Sequence, residues 1–155
     1  MRPAIGSGAF LTGGDAIQNS DTDLRRILTG TKVIALVGWS PNPDRPSNRV
    51  AAYLSARGYR VIPVNPGQTG HLVCGEAVRA RLSDITEQVD MVDIFRRSEE
   101  VPAVVDEAIR VLPGLKTIWM QLGVQDDGAA EKARAAGLAV VMNRCPAIEI
   151  PRLGL

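Results

Sequence analysis

The chain alternates short apolar runs with segments whose apolar residues recur every three to four positions. Near-continuous aliphatic runs of six to eight residues are typical of strands that are buried on both faces of a parallel sheet. We therefore predict five strands. The runs are "KVIALVG" (32–38), "YRVIPV" (59–64), "VDMVDIF" (89–95), "LKTIWMQL" (115–122) and "LAVVMN" (138–143).

Helical spacing dominates between these runs, and "DTDLRRIL" ahead of the first run predicts a short leading helix. Strands that alternate with amphipathic helices through right-handed crossovers form a doubly wound domain. The predicted fold is α/β and Rossmann-like, with a mainly parallel five-stranded sheet and helices on both faces. The other predicted helices are "SNRVAAYLSARG" (47–58), "EEVPAVVDEAIRVL" (99–112) and "DDGAAEKARAAG" (126–137).

Three stretches fall outside this alternation. Residues 1–20 are rich in glycine and serine, and we expect a flexible N-terminal arm ahead of a single domain at residues 21–155. The stretch "LVCGEAVRARLSDI" (72–85) is interpreted as an edge strand plus a connector, with no function assigned to Cys74. The final "CPAIEIPRLGL" (145–155) is expected to be a short return segment over the sheet.

Composition narrows the classes of function. With 45% hydrophobic residues and a net charge of +1, the chain is typical of a globular protein without a global field for nucleic acid or membrane surfaces. Two cysteines and one histidine predict neither a disulfide framework nor a metal site. The start lacks the apolar region of a signal peptide, and no run approaches the roughly 18 apolar residues of a membrane span. We expect a cytoplasmic location.

The loop after the first strand, "GWSPNPDRPSN", has the residue types of an anion site. Ligands of doubly wound sheets bind at the carboxyl ends of the strands. Gly38 lets the backbone approach a ligand, Ser40 offers a hydroxyl, and the helix start at Ser47 and Asn48 suits a phosphate. Arg45 adds a planar donor fork. An ordinary strand-to-helix turn with a solvated arginine explains the same residues.

The next loop argues against a nicotinamide cofactor. Dinucleotide-binding domains usually carry G-x-G-x-x-G in the first loop and an acidic residue at the end of the second strand. Here the first loop reads G-W-S-P-N-P, and Asn65 and Pro66 follow Val64 where the acid is expected.

Two further loops complete the predicted crevice. Phe95 is placed where its ring can lie against a base or a pantetheine chain, and Arg96 and Arg97 follow it to pair with phosphate. A half-buried aromatic beside two exposed arginines is the structural alternative. Gln121 supplies an amide that can hydrogen-bond to a polar group of the ligand, and Gly123 has no side chain that would block the crevice.

Groups for catalysis are not recognisable. The sequence contains no Ser-His-Asp set, no paired carboxylates with a partner and no metal ligands. Cys145 follows the fifth strand, where a thiolate can form a mixed disulfide with a thiol ligand or accept an acyl group, although a buried structural thiol is the alternative. Trp39 is expected to neighbour the ligand, and Trp119 to lie in the core.

Taken together, "VGWSPNPDRPSNRVAAYL", "GYRVIPVNP", "VDMVDIFRRSEEVPAVVDEAI" and "IWMQLGVQDDGAAEKARAAGLAVVMNRCPAIE" resemble the small stand-alone CoA-binding proteins. These are similar to the N-terminal CoA-binding domain of the succinyl-CoA synthetase α subunit. The resemblance covers roughly residues 20–153. It implies a Rossmann-type fold that holds CoA across the strand ends.

This resemblance implies that the loop after the first strand contacts the phosphates of CoA and that the end of the second strand flanks its adenosine. The later loops then line the remainder of the CoA-binding crevice. We do not expect the ligase domain that supplies the synthetase's phosphohistidine, and the lysine often found just after the "P-x" turn in the synthetase is replaced in "VNPGQTG" by Gln68 or its neighbours. The candidate cofactor-binding residues are Gly38, Trp39, Ser40, Pro41, Arg45, Ser47, Asn48, Val64, Asn65, Pro66, Phe95, Arg96, Gln121 and Gly123.

The predicted function is non-catalytic binding of coenzyme A or a short acyl-CoA, as a sensor, a carrier or a partner of a CoA-using enzyme. Two alternatives remain open, namely an NAD(P)-binding oxidoreductase of Rossmann type and a subunit of a split acyl-CoA synthetase. The expected partner is the small-molecule ligand, with a protein partner or a second copy of the chain as further options. Neither nucleic acid nor a membrane is expected.

Overall fold

Five parallel strands form the central sheet, and all five predicted strands are confirmed. The structure is a computed structural model that describes residues 19–155, so residues 1–18 of the predicted arm lie outside the described residues. The strands of this sheet are β1 (Val33–Val37), β2 (Arg60–Val64), β5 (Met91–Ile94), β6 (Thr117–Met120) and β7 (Ala139–Val141). Their spatial order is β2-β1-β5-β6-β7. The chain places β2 on one side of β1 and β5 on the other, so the topological switch point of the sheet lies between β1 and β5.

Helices cover both faces of the sheet, as predicted. They are α1 (Asp21–Gly30), α2 (Pro46–Ala56), α3 (Val101–Val111), α4 (Asp127–Ala135) and α5 (Pro146–Arg152). One apolar layer, with Leu24, Leu54 and Ile150, fills the space between the sheet and α1, α2 and α5. A second layer, with Val105 and Ala130, lies under α3 and α4. The sheet is thus buried on both faces, which explains why its strands are aliphatic throughout.

Local sequence signals define the helix ends. Ser20 caps α1 by accepting a hydrogen bond from the Asp23 N–H, and the Asp23 carboxylate accepts one from the Ser20 N–H in return. Asp126 caps α4 through its Oδ1, which accepts the Ala129 N–H at 2.8 Å. Pro46 occupies the first turn of α2, where its missing N–H costs no intrahelical bond.

Residues 72–85, expected to form an edge strand plus a connector, pair with the main sheet only at one parallel bridge, between Arg79 and Val64 at the β2 edge. They begin with a separate antiparallel hairpin of β3 (Leu72–Val73) and β4 (Glu76–Ala77). Cys74 and Gly75 adopt positive φ angles of 52° and 83°, so the chain turns back after two residues. The return segment at residues 145–155 contains α5. No helix within residues 19–155 is long and apolar enough to cross a membrane.

Candidate functional site

A cavity of about 810 Å³ opens at the carboxyl ends of the strands of the main sheet. This volume lies in the usual range of small-molecule sites. We call it the cleft. Residues that follow each of the five strands contribute to its wall, as the strand-end rule predicts. Nine of the predicted residues line it: Gly38, Ser40, Arg45, Ser47, Asn65, Phe95, Arg96, Gln121 and Gly123.

The order of the strands sets the order of groups along the cleft. Amide side chains of Asn65 and Gln68 stand at the β2 end, and the loops after β1 and β5 form the centre. Residues after β6 and β7 form the opposite end, where Leu122 and Ile148 line the cavity. Since neighbouring strands lie about 4.8 Å apart, four spacings give the cleft a length of about 20 Å.

The centre of the cleft is a close contact between two strand ends. Gly38 has a φ of +93°, and a Cβ atom built on it would lie 2.2 Å from the Phe95 carbonyl oxygen. Its N–H donates to the Val64 carbonyl at 2.8 Å. The sequence suggested that Gly38 admits a ligand, whereas the structure shows that glycine is needed for β1 and β5 to approach each other.

The loop between β1 and α2 is held by its own side chains. The Ser40 N–H donates to Ser47 Oγ at 3.1 Å, and Asn48 Nδ2 donates to the Ser40 carbonyl at 2.9 Å. Ser47 is 4% exposed, and no side chain caps the start of α2. Ser47 and Asn48 therefore fix the loop against the helix start. Pro46 has no N–H and the Asn48 N–H donates to the Arg45 carbonyl at 3.1 Å, so the Ser47 N–H is the backbone donor that this turn can offer to an anion.

Asn65 braces the neighbouring loop. Its Nδ2 donates to the Trp39 carbonyl at 2.8 Å, and its Oδ1 accepts the Gly67 N–H at 3.0 Å. The side chain that stands where a dinucleotide fold has an acid thus joins the end of β1 to the 3₁₀ helix Pro66–Gln68. No carboxylate is available at this position to hold a ribose.

Four arginines line the cleft. Within the described part of the chain, the Arg45 guanidinium makes no ion pair and no side-chain hydrogen bond. Nε of Arg96 and Nε of Arg97 each donate to a Glu100 carboxylate oxygen at 3.0 Å, and these hydrogen bonds lower the pKa of Glu100. The fourth arginine, Arg49, lies on α2 one turn beyond Arg45. The cleft centre is therefore cationic.

Among the described residues, three buried polar side chains at this end of the sheet have atoms without hydrogen-bond partners, namely Trp39 Nε1, both carboxylate oxygens of Asp93 and Gln121 Oε1. Gln121 is 5% exposed, and its Oε1 accepts no hydrogen bond within the protein. Asp93 is fully buried in β5, paired in register with Leu36 and Trp119, and neither of its carboxylate oxygens has a partner. Burial raises the pKa of Asp93 well above its ordinary value. Sequence analysis missed Asp93, although a carboxylate inside "VDMVDIF" was the signal.

The end of the cleft at β6 and β7 is apolar. Val124 and Cys145 are 8% and 5% exposed and form part of its wall. Leu122 and Ile148 are large apolar side chains that are 53% and 49% exposed at its edge. The Cys145 thiol is buried, as the structural alternative states, and it also belongs to the cavity lining, while its reactivity stays a prediction.

Five predicted residues do not line the cleft: Trp39, Pro41, Asn48, Val64 and Pro66. Trp39 was expected beside the ligand, but it is 4% exposed and its ring packs 5.7 Å from that of His71. Val64 is 3% exposed, because its side chain belongs to the core layer under α3 and α4. Trp119 is fully buried, which confirms its predicted place in the core.

Other lining residues were not predicted. Arg49 lies in the first turn of α2, which is predicted as a phosphate site, but the sequence carries no separate signal for this arginine. Leu122 lies between two predicted residues in "MQLG". Ile148 carries no signal in the sequence, since its position depends on how α5 packs against α2.

Comparison with known proteins gives a consistent result. A family model described as CoA binding domain matches residues 32–151. The uncharacterized protein YneT of Bacillus subtilis (strain 168) is 34% identical over 126 residues, which is 81% of this chain and 90% of YneT.

Several solved structures are similar to this chain. A hypothetical protein from Pyrococcus horikoshii OT3 is 40% identical with a TM-score of 0.81, over 87% of this chain and 92% of that chain. Acetyl-coenzyme A synthetase 1 of Ca. Korarchaeum cryptofilum, dinucleotide forming and in complex with phosphate and ADP, is 25% identical with a TM-score of 0.64. That match covers 76% of this chain and 26% of the synthetase chain. Since the family match covers most of its length, the chain belongs to the family of CoA-binding domains.

Proposed function

We propose that the cleft binds CoA or an acyl-CoA, with the phosphates at its centre. The observation that carries this proposal is that four arginines line the cleft, Arg45 and Arg49 from the start of α2 and Arg96 and Arg97 from the loop after β5. Arginine forks and helix N-termini are the donors that proteins use for phosphate. CoA carries a diphosphate and a 3′-phosphate, so it presents several anionic groups to such a centre.

The two ends of the cleft suit the two ends of CoA. The β2 end carries the amide of Gln68, which can contact the polar edge of an adenine. The β6 and β7 end is apolar and accommodates the less polar pantetheine arm. A nicotinamide dinucleotide fits less well, because Asn65 stands where a carboxylate would hold its ribose.

Binding without chemistry is the proposed activity, as a sensor, a carrier or a partner of a CoA-using enzyme. The polar side chains near the phosphates have structural tasks, since the Ser47 hydroxyl and the Asn65 amide hold loops in place. If this is correct, acetyl-CoA incubated with the protein releases free CoA no faster than in buffer. Release that depends on the protein and is lost in Arg96→Ala would contradict the non-catalytic role.

Native mass spectrometry tests the choice of ligand. The protein is mixed with CoA and NADH at equal concentrations, and the mass of the bound species is read directly. We expect one CoA per chain and displacement of any nucleotide that is retained through purification. An NADH complex that persists in the presence of CoA would contradict the proposal and favour an oxidoreductase.

A further inference from the structure

Exposed apolar side chains are concentrated at one end of the cleft. Within residues 19–155, the large apolar side chains that are more than a third exposed are Leu72, Leu122 and Ile148. Single exposed apolar residues are normal on a protein surface. Two of these three, however, line the same cavity, from two different segments of the chain.

Two nearly buried side chains, one from each apolar layer of the domain, line the same cavity as this exposed pair. Val124 and Cys145 line the same end of the cavity and are almost completely buried. We call the four residues Leu122, Val124, Cys145 and Ile148 the apolar surface. Gln121 adjoins it with a buried side-chain oxygen that has no hydrogen-bond partner in the protein. The two amide N–H groups of a pantetheine arm are donors of the kind that this oxygen lacks.

The order of the strands places this surface at the thiol end of a bound CoA. The arginines follow β1 and β5, whereas the apolar surface follows β6 and β7 on the side away from β2. β7 lies three strand spacings from β1, or about 14 Å. With the phosphates at the cationic centre and adenine at the β2 end, the pantetheine arm extends toward the apolar surface.

We propose that the apolar surface binds the acyl chain of an acyl-CoA, so that the protein prefers butyryl and hexanoyl esters to free CoA. This inference rests on the proposed function. A chain that covers Leu122 and Ile148 removes apolar area of both partners from water, and each buried methylene strengthens binding by about two- to fourfold. The gain ends once the chain extends past the edge of the cleft.

Calorimetric titration with CoA, acetyl-CoA, butyryl-CoA and hexanoyl-CoA tests the proposal in four proteins. These are the unaltered chain, Leu122→Ser, Ile148→Ser and the matched control Leu72→Ser, which changes an equally apolar exposed side chain outside the cleft. We expect affinity to rise with chain length in the unaltered protein and in Leu72→Ser. The increase in affinity with chain length should be at least halved in Leu122→Ser and Ile148→Ser. Because the four ligands are compared within each variant, any general effect of the substitution on CoA binding cancels.

The outcomes separate this inference from the proposed function. Tight binding of CoA with equal affinities for all four ligands would overturn the acyl preference and leave CoA binding in place. A chain-length dependence that Leu72→Ser abolishes as strongly as Leu122→Ser would also overturn it. Failure of all four ligands to bind would overturn both proposals.

Discussion

The α-carbon of Gly38 lies against the carbonyl group of Phe95, so closely that a Cβ atom on Gly38 would be 2.2 Å from the carbonyl oxygen. This contact joins the ends of β1 and β5, at the topological switch point of the sheet. Gly38, the first residue of the loop after β1, therefore lines the cleft and is also a packing residue of the sheet. Any change at this contact disturbs both stability and the cleft.

Replacement of Gly38 by alanine should be strongly destabilising. The positive φ strains any residue with a Cβ, and the Cβ must in addition displace the backbone of Phe95. We expect a loss of at least about 2 kcal/mol in the free energy of unfolding, measured by urea denaturation. Gly58→Ala is the matched control, since Gly58 has a φ of +99° with no atom within 4 Å of the added Cβ. Equal losses in the two variants would refute the packing role.

Arg96 is expected to be a major contributor to phosphate binding. It lines the cleft and is held by Glu100, so its guanidinium is oriented before the ligand arrives. Arg96→Ala should weaken CoA binding by about 1.5–3 kcal/mol, the range for a hydrogen bond to a charged group. Arg110→Ala, which removes an exposed arginine of α3 away from the cleft, should have little effect. An unaltered affinity in Arg96→Ala would mean that the phosphates lie elsewhere.

Cys145 provides a direct report on occupation of the cleft. Alkylation with iodoacetamide is followed by peptide mass spectrometry with and without acetyl-CoA, which has no free thiol to consume the reagent. At ten times its dissociation constant, the ligand should slow alkylation of Cys145 by about tenfold, because about a tenth of the clefts remain empty. Cys74, which is exposed in the hairpin, is an internal control that should not change. Equal protection of both cysteines would argue against a ligand in the cleft.

Asp93 should make stability depend on pH. Its carboxyl group is fully buried without a partner, and burial raises its pKa in the folded state. Between the unfolded pKa of about 3.9 and the raised folded pKa, the folded state binds more protons, so stability falls as pH rises, by up to about 1.4 kcal/mol per pH unit. Asp93→Asn has no carboxyl group at this position, so this loss of stability with rising pH should be absent from the variant. The stability gap between the variant and the unaltered protein should therefore widen upward from about pH 4. Parallel curves in urea denaturation would show that Asp93 does not titrate in this way.

The position of the cleft could be predicted from the sequence because it depends on strand ends. The aliphatic runs located β1, β2, β5, β6 and β7, and the strand-end rule then selected Gly38, Phe95 and Gln121 as neighbours. These inferences need only the hydrophobic pattern and the topology of a parallel sheet.

The roles of individual side chains depended on tertiary contacts that leave no local signal. Trp39 lies in a loop but its side chain is buried and packs against His71, which directly precedes a hairpin that the sequence did not indicate. Asn65 has a side chain suited equally to a ligand or to a loop brace, and only its bonds to Trp39 and Gly67 distinguish the two roles. Ile148 reaches the cleft through the packing of α5.

Calorimetric titration of the protein with CoA tests the central claim most directly. A cleft with four arginines at its centre predicts saturable binding of one CoA per chain, with an affinity that falls as salt rises because charged contacts are screened. Titration with ADP, which lacks the pantetheine arm, should give a weaker complex in the same cleft. The absence of any binding heat with CoA, up to about millimolar concentration and at more than one temperature, would contradict the account.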